Sequence, residues 1–390
     1  MERRGWEELD FLVVSGDAYV DHPSFGHAII SRWLENLGYR VGIIAQPKWS
    51  STEDFKKMGK PKLGVMVTAG NLDSMLSHYT ASGKKRKTDD YSPGGQAGLR
   101  PDRATIVYCN RIRELWKDVP LIIGGIEASL RRIAHYDCWA DDVRRSILAD
   151  SRADLLVFGM GEIPVTEIAR RLSEGRAASQ IRDVPGTCWK THEPEKAADA
   201  VVLPSFEEVR SDKKMFAQAF KKFYLEQDHI RGNRLIQDQG VWHVVQNRPS
   251  RPMTEKELDK VYSLPYTRAW HPDYDSAGGV PAIEEVRFSI TSHRGCFGEC
   301  SFCAISMHQG KIIQTRSDHS MMDEARSFKK MKEFRGYIHD VGGPTANFVI
   351  PSCRDQDKKG ACTNKACLYL SPCKKLEADH SRYIVLLRKL

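Results

Sequence analysis

Short apolar runs alternate with amphipathic segments over residues 1–175. The apolar runs precede turn-forming residues and cover positions 10–15, 40–46, 62–70, 119–129 and 153–162. Between them, apolar residues at helical spacing mark residues 26–39 and 103–118. Continuous apolar runs separated by helices are typical of parallel strands that are covered on both faces. The pattern therefore predicts an α/β fold, with a doubly wound parallel sheet in an N-terminal domain of residues 1–189.

The residues that follow the predicted strands are candidate ligand contacts, because ligands of doubly wound sheets bind at the carboxyl ends of the strands. They are Asp17, Asp21, His22, Gly26, Asn71, Gly124, Gly125, Glu127, Gly159, Gly161 and Glu162. No complete G-x-G-x-x-G follows the first strand, so the sequence does not favour a dinucleotide. The alternative is that the glycines only form tight turns between strand and helix.

The remainder of the chain is predicted to contain an insertion, a connecting segment and a third region. Residues 79–102 are rich in turn residues, which is typical of a functional or disordered loop. Residues 190–284 are less periodic, and we expect a connecting segment with a helix near 205–226. Residues 285–390 begin with a strand, a cysteine loop, a helix and a second strand. Ser320 and Asp323 predict the start of that helix as a capping box.

Charge and hydropathy indicate in which cellular compartment the protein resides and which classes of partner it could bind. No run approaches the roughly 18 apolar residues of a membrane span, and the N-terminus does not resemble a signal peptide. We therefore expect a cytoplasmic chain with no membrane partner, whose 10 cysteines stay reduced and serve as metal ligands rather than disulfides. The net charge of +8 includes a basic run at residues 84–87. That run is either a solvated loop or a contact for nucleic acid.

Three cysteines lie close together in the sequence RGCFGECSFCAI, at residues 294–305. Cys296, Cys300 and Cys303 follow one another at x3 and x2 spacing. Iron–sulfur clusters are held by cysteine thiolates, normally four for a four-iron cluster, so three local ligands leave one iron open. Zinc is the competing metal, but structural zinc loops more often use two separated cysteine pairs.

With Phe302 before Cys303, the C-x3-C-x-aromatic-C pattern resembles that of the radical S-adenosylmethionine (SAM) enzymes. The resemblance implies that the three cysteines bind a [4Fe–4S] cluster and that SAM chelates the fourth iron. It also implies that one electron cleaves SAM to methionine and a 5′-deoxyadenosyl radical. In that family a Gly-Gly-Glu-type turn after the second strand holds the SAM amino group. Gly342 and Gly343, followed here by Pro344, stand at that place without the glutamate.

Five segments, at residues 15–26, 91–104, 123–132, 293–305 and 353–373, resemble the YgiQ family of radical SAM proteins. The resemblance implies that residues 285–390 begin a partial (βα)6 radical SAM barrel, and that the N-terminal domain is similar to cobalamin-binding α/β domains. The spacing of Asp21, His22 and Gly26 departs from a cobalamin-type D-x-H-x-x-G, so we do not expect cobalamin. A barrel of six units needs roughly 190 residues. We therefore expect a C-terminally truncated chain.

A second cysteine group lies in the loop of residues 353–373. Cys353, Cys362, Cys367 and Cys373 could hold zinc or a second cluster, or could be four separate reduced thiols. Cys109, Cys138 and Cys188 stand alone, and we expect structural roles for them.

These observations predict a radical SAM iron–sulfur enzyme of unknown reaction and substrate, served by an electron donor such as flavodoxin or ferredoxin. The alternative is a non-catalytic iron–sulfur or zinc protein that binds RNA or a protein partner. An RNA-modifying radical SAM enzyme would combine the two.

Overall fold

A nine-stranded sheet runs through the centre of the computed structural model, which describes residues 1–343 and 348–390. In chain order its strands are β1 (Phe11–Ser15), β2 (Val41–Ala45), β3 (Gly64–Thr68), β4 (Leu121–Gly124), β5 (Leu155–Val157), β6 (Thr187–Thr191), β7 (Val201–Val202), β8 (Leu235–Asp238) and β9 (His243–Gln246). Across the sheet the order is β7-β8-β9-β6-β5-β4-β3-β1-β2.

The strands β1 to β5 are parallel, as the sequence predicted. Side chains of β1 alternate between two cores: Phe11 and Val13 face one, and Leu12 and Val14 face the other. The first core includes residues of helices Gly26–Asn36 and Glu162–Ser173, and the second includes residues of Ala104–Leu115. Because both faces are buried, the strands read as continuous apolar runs.

The remaining strands extend the sheet with residues from the predicted connecting segment. The strand β6 pairs antiparallel with β5 and β9, β8 pairs antiparallel with β9, and β7 pairs parallel with β8. The predicted boundary at residue 189 thus falls within β6, and residues 190–284 supply the end of β6 and the strands β7, β8 and β9.

The helices lie on both sides of the sheet and in the cysteine-rich region. They span Gly26–Asn36, Ser74–His78, Ala104–Leu115, Gly125–Leu130, Ile147–Asp150, Glu162–Ser173, Phe206–Ser211, Lys213–Leu225, Glu255–Tyr262, Ile305–Gln309, Asp318–Phe328, Gln356–Lys359 and Ser381–Lys389. The helix predicted near 205–226 is two helices that meet at Asp212, whose carboxylate accepts a hydrogen bond from the amide of Lys214. Within the two described ranges, no helix has both the length and the apolar character needed to span a bilayer.

The insertion at residues 79–102 is anchored in the protein interior by Arg100. Its guanidinium donates to the carboxylates of Asp17 and Asp89, with closest distances of 2.7 and 2.8 Å, and its side chain is fully buried. Asp17 follows β1, so the pair joins the insertion to the carboxyl end of the sheet. The insertion is therefore an ordered part of the fold.

The third region is a small layer around the cysteine loop. Strands Ile290–Thr291 and Val341–Gly342 pair parallel, whereas His293–Arg294 and Gln314–Thr315 pair antiparallel. Helix Asp318–Phe328 is capped by Ser317 rather than by the predicted Ser320. The order of strand, loop, helix and strand agrees with the sequence analysis. The six-unit barrel stays a prediction, and Pro344 lies outside the described residues.

Two short pairings complete the strands of the described ranges. Val20–Asp21 pairs with Ala269–Trp270, and His135–Asp137 pairs with Asp142–Arg144. The first joins the end of the sheet to the segment that leads into the cysteine region.

Replacing Arg100 with methionine tests the anchor of the insertion. The variant leaves two carboxylates buried without their cation, so we expect the free energy of unfolding to fall by about 3–5 kcal/mol. Urea denaturation measures the change. Arg170→Met is the matched control, because the side chain of Arg170 is half exposed and its ion pairs should contribute about 0–1 kcal/mol. Equal effects of the two variants would contradict the assignment.

Candidate functional site

A cavity of about 640 Å³ lies between the carboxyl ends of the parallel strands and the cysteine-bearing region. The sheet side contributes the ends of β1, β3, β4 and β5 and the turns that follow them. The other side contributes residues just before and after the three cysteines and the turn at 342–343: Ser289, Ile290, Thr291, Arg294, Ile305, His308, Gln309, Gly342 and Gly343. A volume of this size suits a small-molecule ligand.

The strand-end residues predicted from the sequence divide into two groups. Seven line the cavity: Gly26, Asn71, Gly124, Gly125, Gly159, Gly161 and Glu162. The carboxylates of Asp17, Asp21 and Glu127 instead stabilise the fold through Arg100, through Arg32, and through the amides of Ser74 and Thr105 respectively.

His22 is also engaged within the protein. Its Nδ1 accepts a hydrogen bond from the amide of Ser24 at 3.0 Å, and its Nε2 lies 2.8 Å from a guanidinium nitrogen of Arg268. The side chain is completely buried. Both nitrogens are therefore used by neighbours, and this arrangement does not favour His22 as an axial ligand of cobalamin.

The cysteine loop turns sharply beside the strand His293–Arg294. Gly295 has a φ of +88°, and a Cβ there would lie 2.3 Å from the carbonyl oxygen of Ile312, so glycine is required. Backbone hydrogen bonds join the amide of Cys296 to Gly310 and the amide of Cys303 to Cys300, each at 3.0 Å. Cys296 is buried, Cys303 is partly buried and Cys300 is exposed.

The donor set of this loop fits an iron–sulfur cluster. A Cβ on Gly298 would lie 3.3 Å from the sulfur of Cys296 and 3.7 Å from that of Cys300, so the absence of a side chain leaves space between the two sulfurs. Across the described ranges, no three histidine, cysteine or acidic side chains already converge closely enough to bind a metal ion. The predicted ligands Cys296, Cys300 and Cys303 therefore share one loop, and their joint coordination stays a prediction.

A buried ion pair joins the cysteine segment to the α/β domain. Arg294 donates to the carboxylate of Glu162, and their side chains are only 3% and 2% exposed. Glu162 begins helix Glu162–Ser173, just after β5. Arg294 also donates to the hydroxyl of Tyr262 at 3.1 Å. Sequence analysis singled out Glu162 as a strand-end residue, but nothing in the sequence indicated Arg294 as its partner.

Helix Ile305–Gln309, which follows the cysteine loop, rests on the same domain. His308 Nδ1 lies 3.0 Å from the hydroxyl of Ser129, and that hydroxyl also accepts from the amide of Gly159 at 3.1 Å. Burial, with the nearby Arg132 and Arg294, lowers the pKa of His308 to about 4. His308 is consequently neutral at pH 7 and acts as a contact between the two regions.

The residues predicted to bind SAM lie in different surroundings. Gly342 and Gly343 line the cavity. A Cβ on Gly343 would come within 2.3 Å of the imidazole of His293, so the backbone approaches that ring closely. Phe302 is 91% exposed and is not among the described residues that line the cavity.

The second cysteine group is gathered in one folded loop. The amide of Cys373 donates to the carbonyl of Cys367 at 2.9 Å. Burial raises the pKa of the Cys367 thiol, the neighbouring Ser352 opposes this, and the nearby Cys362, Glu299 and Cys353 raise it further. Among the isolated cysteines, Cys109 and Cys188 lie in the core, as expected for structural residues, whereas Cys138 is exposed.

Glu162→Gln tests whether the ion pair holds the cysteine segment in place. The variant leaves Arg294 buried without a counter-charge, so we expect a loss of about 3–5 kcal/mol in local stability. Hydrogen exchange of residues 290–310 should accelerate accordingly. Glu167→Gln, on the same helix but with a partly exposed pair to Arg171, should change exchange little. Identical exchange in both variants would show that the pair is not a constraint.

Comparisons with known proteins identify relatives of the chain. The sequence profile described as Radical SAM N-terminal matches residues 1–289. A UPF0313 protein of Clostridium botulinum (strain Loch Maree) is 57% identical over 390 residues, which are 100% of this chain and 60% of the relative. A UPF0313 protein of Clostridium perfringens (strain 13) is 55% identical over 391 residues, covering 100% of this chain and 59% of the relative. The chain thus spans less than two thirds of the length of these relatives.

Two solved structures of the radical SAM methyltransferase TsrM from Kitasatospora setae also share similarity with this chain. The one with tryptophan and a SAM analogue bound has a TM-score of 0.46 and 18% identity, covering 82% of this chain and 45% of that chain. The one with cobalamin and a [4Fe-4S] cluster bound has a TM-score of 0.43 and 16% identity, with the same coverage. On the profile match, which covers most of its length, the chain belongs to the Radical SAM N-terminal family and thus to the radical SAM superfamily.

Proposed function

We propose that this protein is a radical SAM enzyme that reductively cleaves S-adenosylmethionine, with a [4Fe–4S] cluster held by Cys296, Cys300 and Cys303. The observation that carries the proposal is the position of the three-cysteine loop. Residues on both sides of it line a cavity of about 640 Å³. Membership of the family supports the same chemistry.

The cluster, when bound, supplies the electron that cleaves SAM to methionine and a 5′-deoxyadenosyl radical, which abstracts a hydrogen atom from the substrate. The chain's own residues position and shield the reactants. Gly342 and Gly343 offer backbone groups close to the cavity, without side chains that would fill it. Apolar residues of β1, β3, β4 and β5 form much of the opposite wall. With the ligands bound, this wall would limit the access of water, and a dry site protects a reactive intermediate from side reactions.

The proposal assigns one function to each of the two regions. The loop of residues 294–305 holds the cluster, and the sheet edge closes the reaction chamber and contacts the substrate. An electron donor such as flavodoxin or ferredoxin would serve the cluster in the cytoplasm, where thiols remain reduced. Cobalamin is not included, since both nitrogens of His22 are engaged by Ser24 and Arg268.

A non-catalytic role in binding RNA is the competing function. Its support is the net charge of +8 and the exposed lysines of the insertion, Lys84, Lys85 and Lys87. Binding of RNA that weakens steeply with salt would favour it, whereas cleavage of SAM would not be expected. The two functions are therefore separated by the assay below.

Cys300→Ala tests the proposed reaction. After anaerobic reconstitution with iron and sulfide, wild type should form 5′-deoxyadenosine from SAM and dithionite. The variant should form no more than the control without dithionite, because it lacks one of the three thiolates that hold the cluster. Liquid chromatography quantifies the product. Cys138→Ala, which removes an exposed cysteine of the α/β domain, is the matched control.

The same assay on the full-length relative from Clostridium botulinum separates loss of chemistry from the effect of length. Product from the relative alone would mean that residues outside this chain are required. A reconstituted cluster without product in either protein would contradict the proposal.

Gly343→Ala tests the predicted SAM-binding turn. The added Cβ would overlap the imidazole of His293, so the turn must shift away from its present position. We expect SAM to bind about tenfold more weakly, equivalent to about 1.4 kcal/mol, while the iron content stays unchanged. Equilibrium dialysis with labelled SAM measures this. Unchanged affinity with an intact cluster would remove the turn from the site.

A further inference from the structure

We propose that Cys353, Cys362, Cys367 and Cys373 bind a second metal centre with four thiolate ligands, which stabilises the outer side of the cluster loop. The inference does not depend on SAM cleavage. It rests on the folding of the second cysteine loop, its lack of an apolar core, its charge and its contacts.

The backbone brings the two ends of this loop together. The amide of Glu377 donates to the carbonyl of Ser352 at 2.9 Å. Ser352 precedes Cys353 and Glu377 follows Cys373, so this hydrogen bond holds the two ends of the loop together. A turn follows each of these two cysteines. The carbonyl of Cys353 accepts a hydrogen bond from the amide of Gln356 at 3.2 Å, and the carbonyl of Cys373 accepts one from the amide of Leu376 at 2.8 Å. Cys353 and Cys373 thus begin adjacent turns although they are 20 residues apart in sequence.

The other two cysteines lie between those ends. The carbonyl of Cys367 accepts from the amide of Cys373, so Cys367 lies beside the second turn. Helix Gln356–Lys359 begins just after Cys353, and the amide of Gly360 donates to the carbonyl of Gln356 at 3.0 Å, which turns the chain back before Cys362. All four cysteines therefore belong to one compact loop, although their sulfurs do not meet at a single point in the described structure.

The loop has almost no apolar interior to stabilise this fold. Its described residues 353–373 contain one short helix, Gln356–Lys359, and no strand. Three large apolar side chains are exposed: Leu368, Tyr369 and Leu370. Small segments without a hydrophobic core are usually held by disulfides or a metal ion. In a reducing compartment, four neighbouring cysteines favour the metal.

The charges around the thiols suit an anionic centre. Four thiolates with a divalent ion or a four-iron cluster leave net negative charge. Five lysines lie in the loop or directly after it in sequence: Lys358, Lys359, Lys365, Lys374 and Lys375. Lys375 pairs with Asp355 at 2.6 Å, and positive charge in this segment would offset the charge of the thiolates.

The segment that leads into the second loop packs against the first cysteine motif. Phe348 stacks on Phe297 with ring centroids 4.1 Å apart. Phe297 directly follows Cys296 in the cluster loop, so the segment that precedes the second cysteine loop contacts the cluster loop. At its far side the amide of Ala361 donates to the carboxylate of Asp228 at 2.7 Å. Ordering the second loop by a metal would consequently fix one side of the cluster loop.

The decisive experiment separates the two centres by mutation. In the full chain, Cys296, Cys300 and Cys303 are replaced together by alanine, and the protein is supplied anaerobically with either Zn²⁺ or Fe²⁺ and sulfide. We expect it to retain about one zinc or about four irons, as measured by mass spectrometry of the metals. Additional Cys362→Ala and Cys367→Ala should abolish retention, whereas Cys138→Ala should not. Visible absorption of the bound cluster distinguishes iron–sulfur from zinc.

Alkylation of the wild-type chain gives an answer that needs no folded variant. With metal bound, all four cysteines of the second loop should react with iodoacetamide much more slowly than the exposed Cys138, and a chelator should release them together. Peptide mapping locates the label. Alkylation of Cys353 and Cys362 at the rate of Cys138 in metal-treated protein would overturn the proposal. So would absence of metal from the folded triple variant. Loss of 5′-deoxyadenosine formation alone would concern only the first centre.

Discussion

The buried ion pair between Arg294 and Glu162 is the interaction on which the site depends. Neither side chain reaches solvent appreciably, and separating two such charges inside a protein is costly. The segment that carries the first cysteine therefore cannot move away from helix Glu162–Ser173 without leaving both charges unpaired. Since that helix begins at the carboxyl edge of the sheet, the pair fixes the distance between cysteine loop and sheet, and with it the cavity.

A second set of buried charges supports the same junction from the other side. Arg268 contacts His22 of the α/β domain and pairs with Glu324 on helix Asp318–Phe328. Glu324 also pairs with Arg316, whose guanidinium lies over the ring of Tyr262, as does that of Arg294. The connecting segment, the sheet and the cysteine region are thus held together by one network of buried charges, each of which requires a partner.

The sequence allowed the parallel strands and the strand-end contacts to be predicted, because burial on both faces produces continuous apolar runs. The strands β6, β8 and β9 were missed because they carry buried polar side chains. The side-chain oxygens of Gln237 and Gln246 accept hydrogen bonds from the amide of Ala134 and the guanidinium of Arg132, more than 100 residues away, so no local pattern reveals them. The helix start was misplaced for a similar reason: Ser317, not Ser320, is fixed by a distant carboxylate, that of Asp259. The cysteine motif could be recognised from its spacing, but the residues that pack against it could not be predicted.

With only three cysteine ligands, the proposed cluster would have one iron open to SAM. Electron paramagnetic resonance of the reduced, reconstituted chain tests this most directly, with and without SAM. Direct binding to the cluster would change the signal on addition of SAM, and the change would be absent in Cys300→Ala. A signal from a reduced four-iron cluster that is indifferent to saturating SAM would contradict the account.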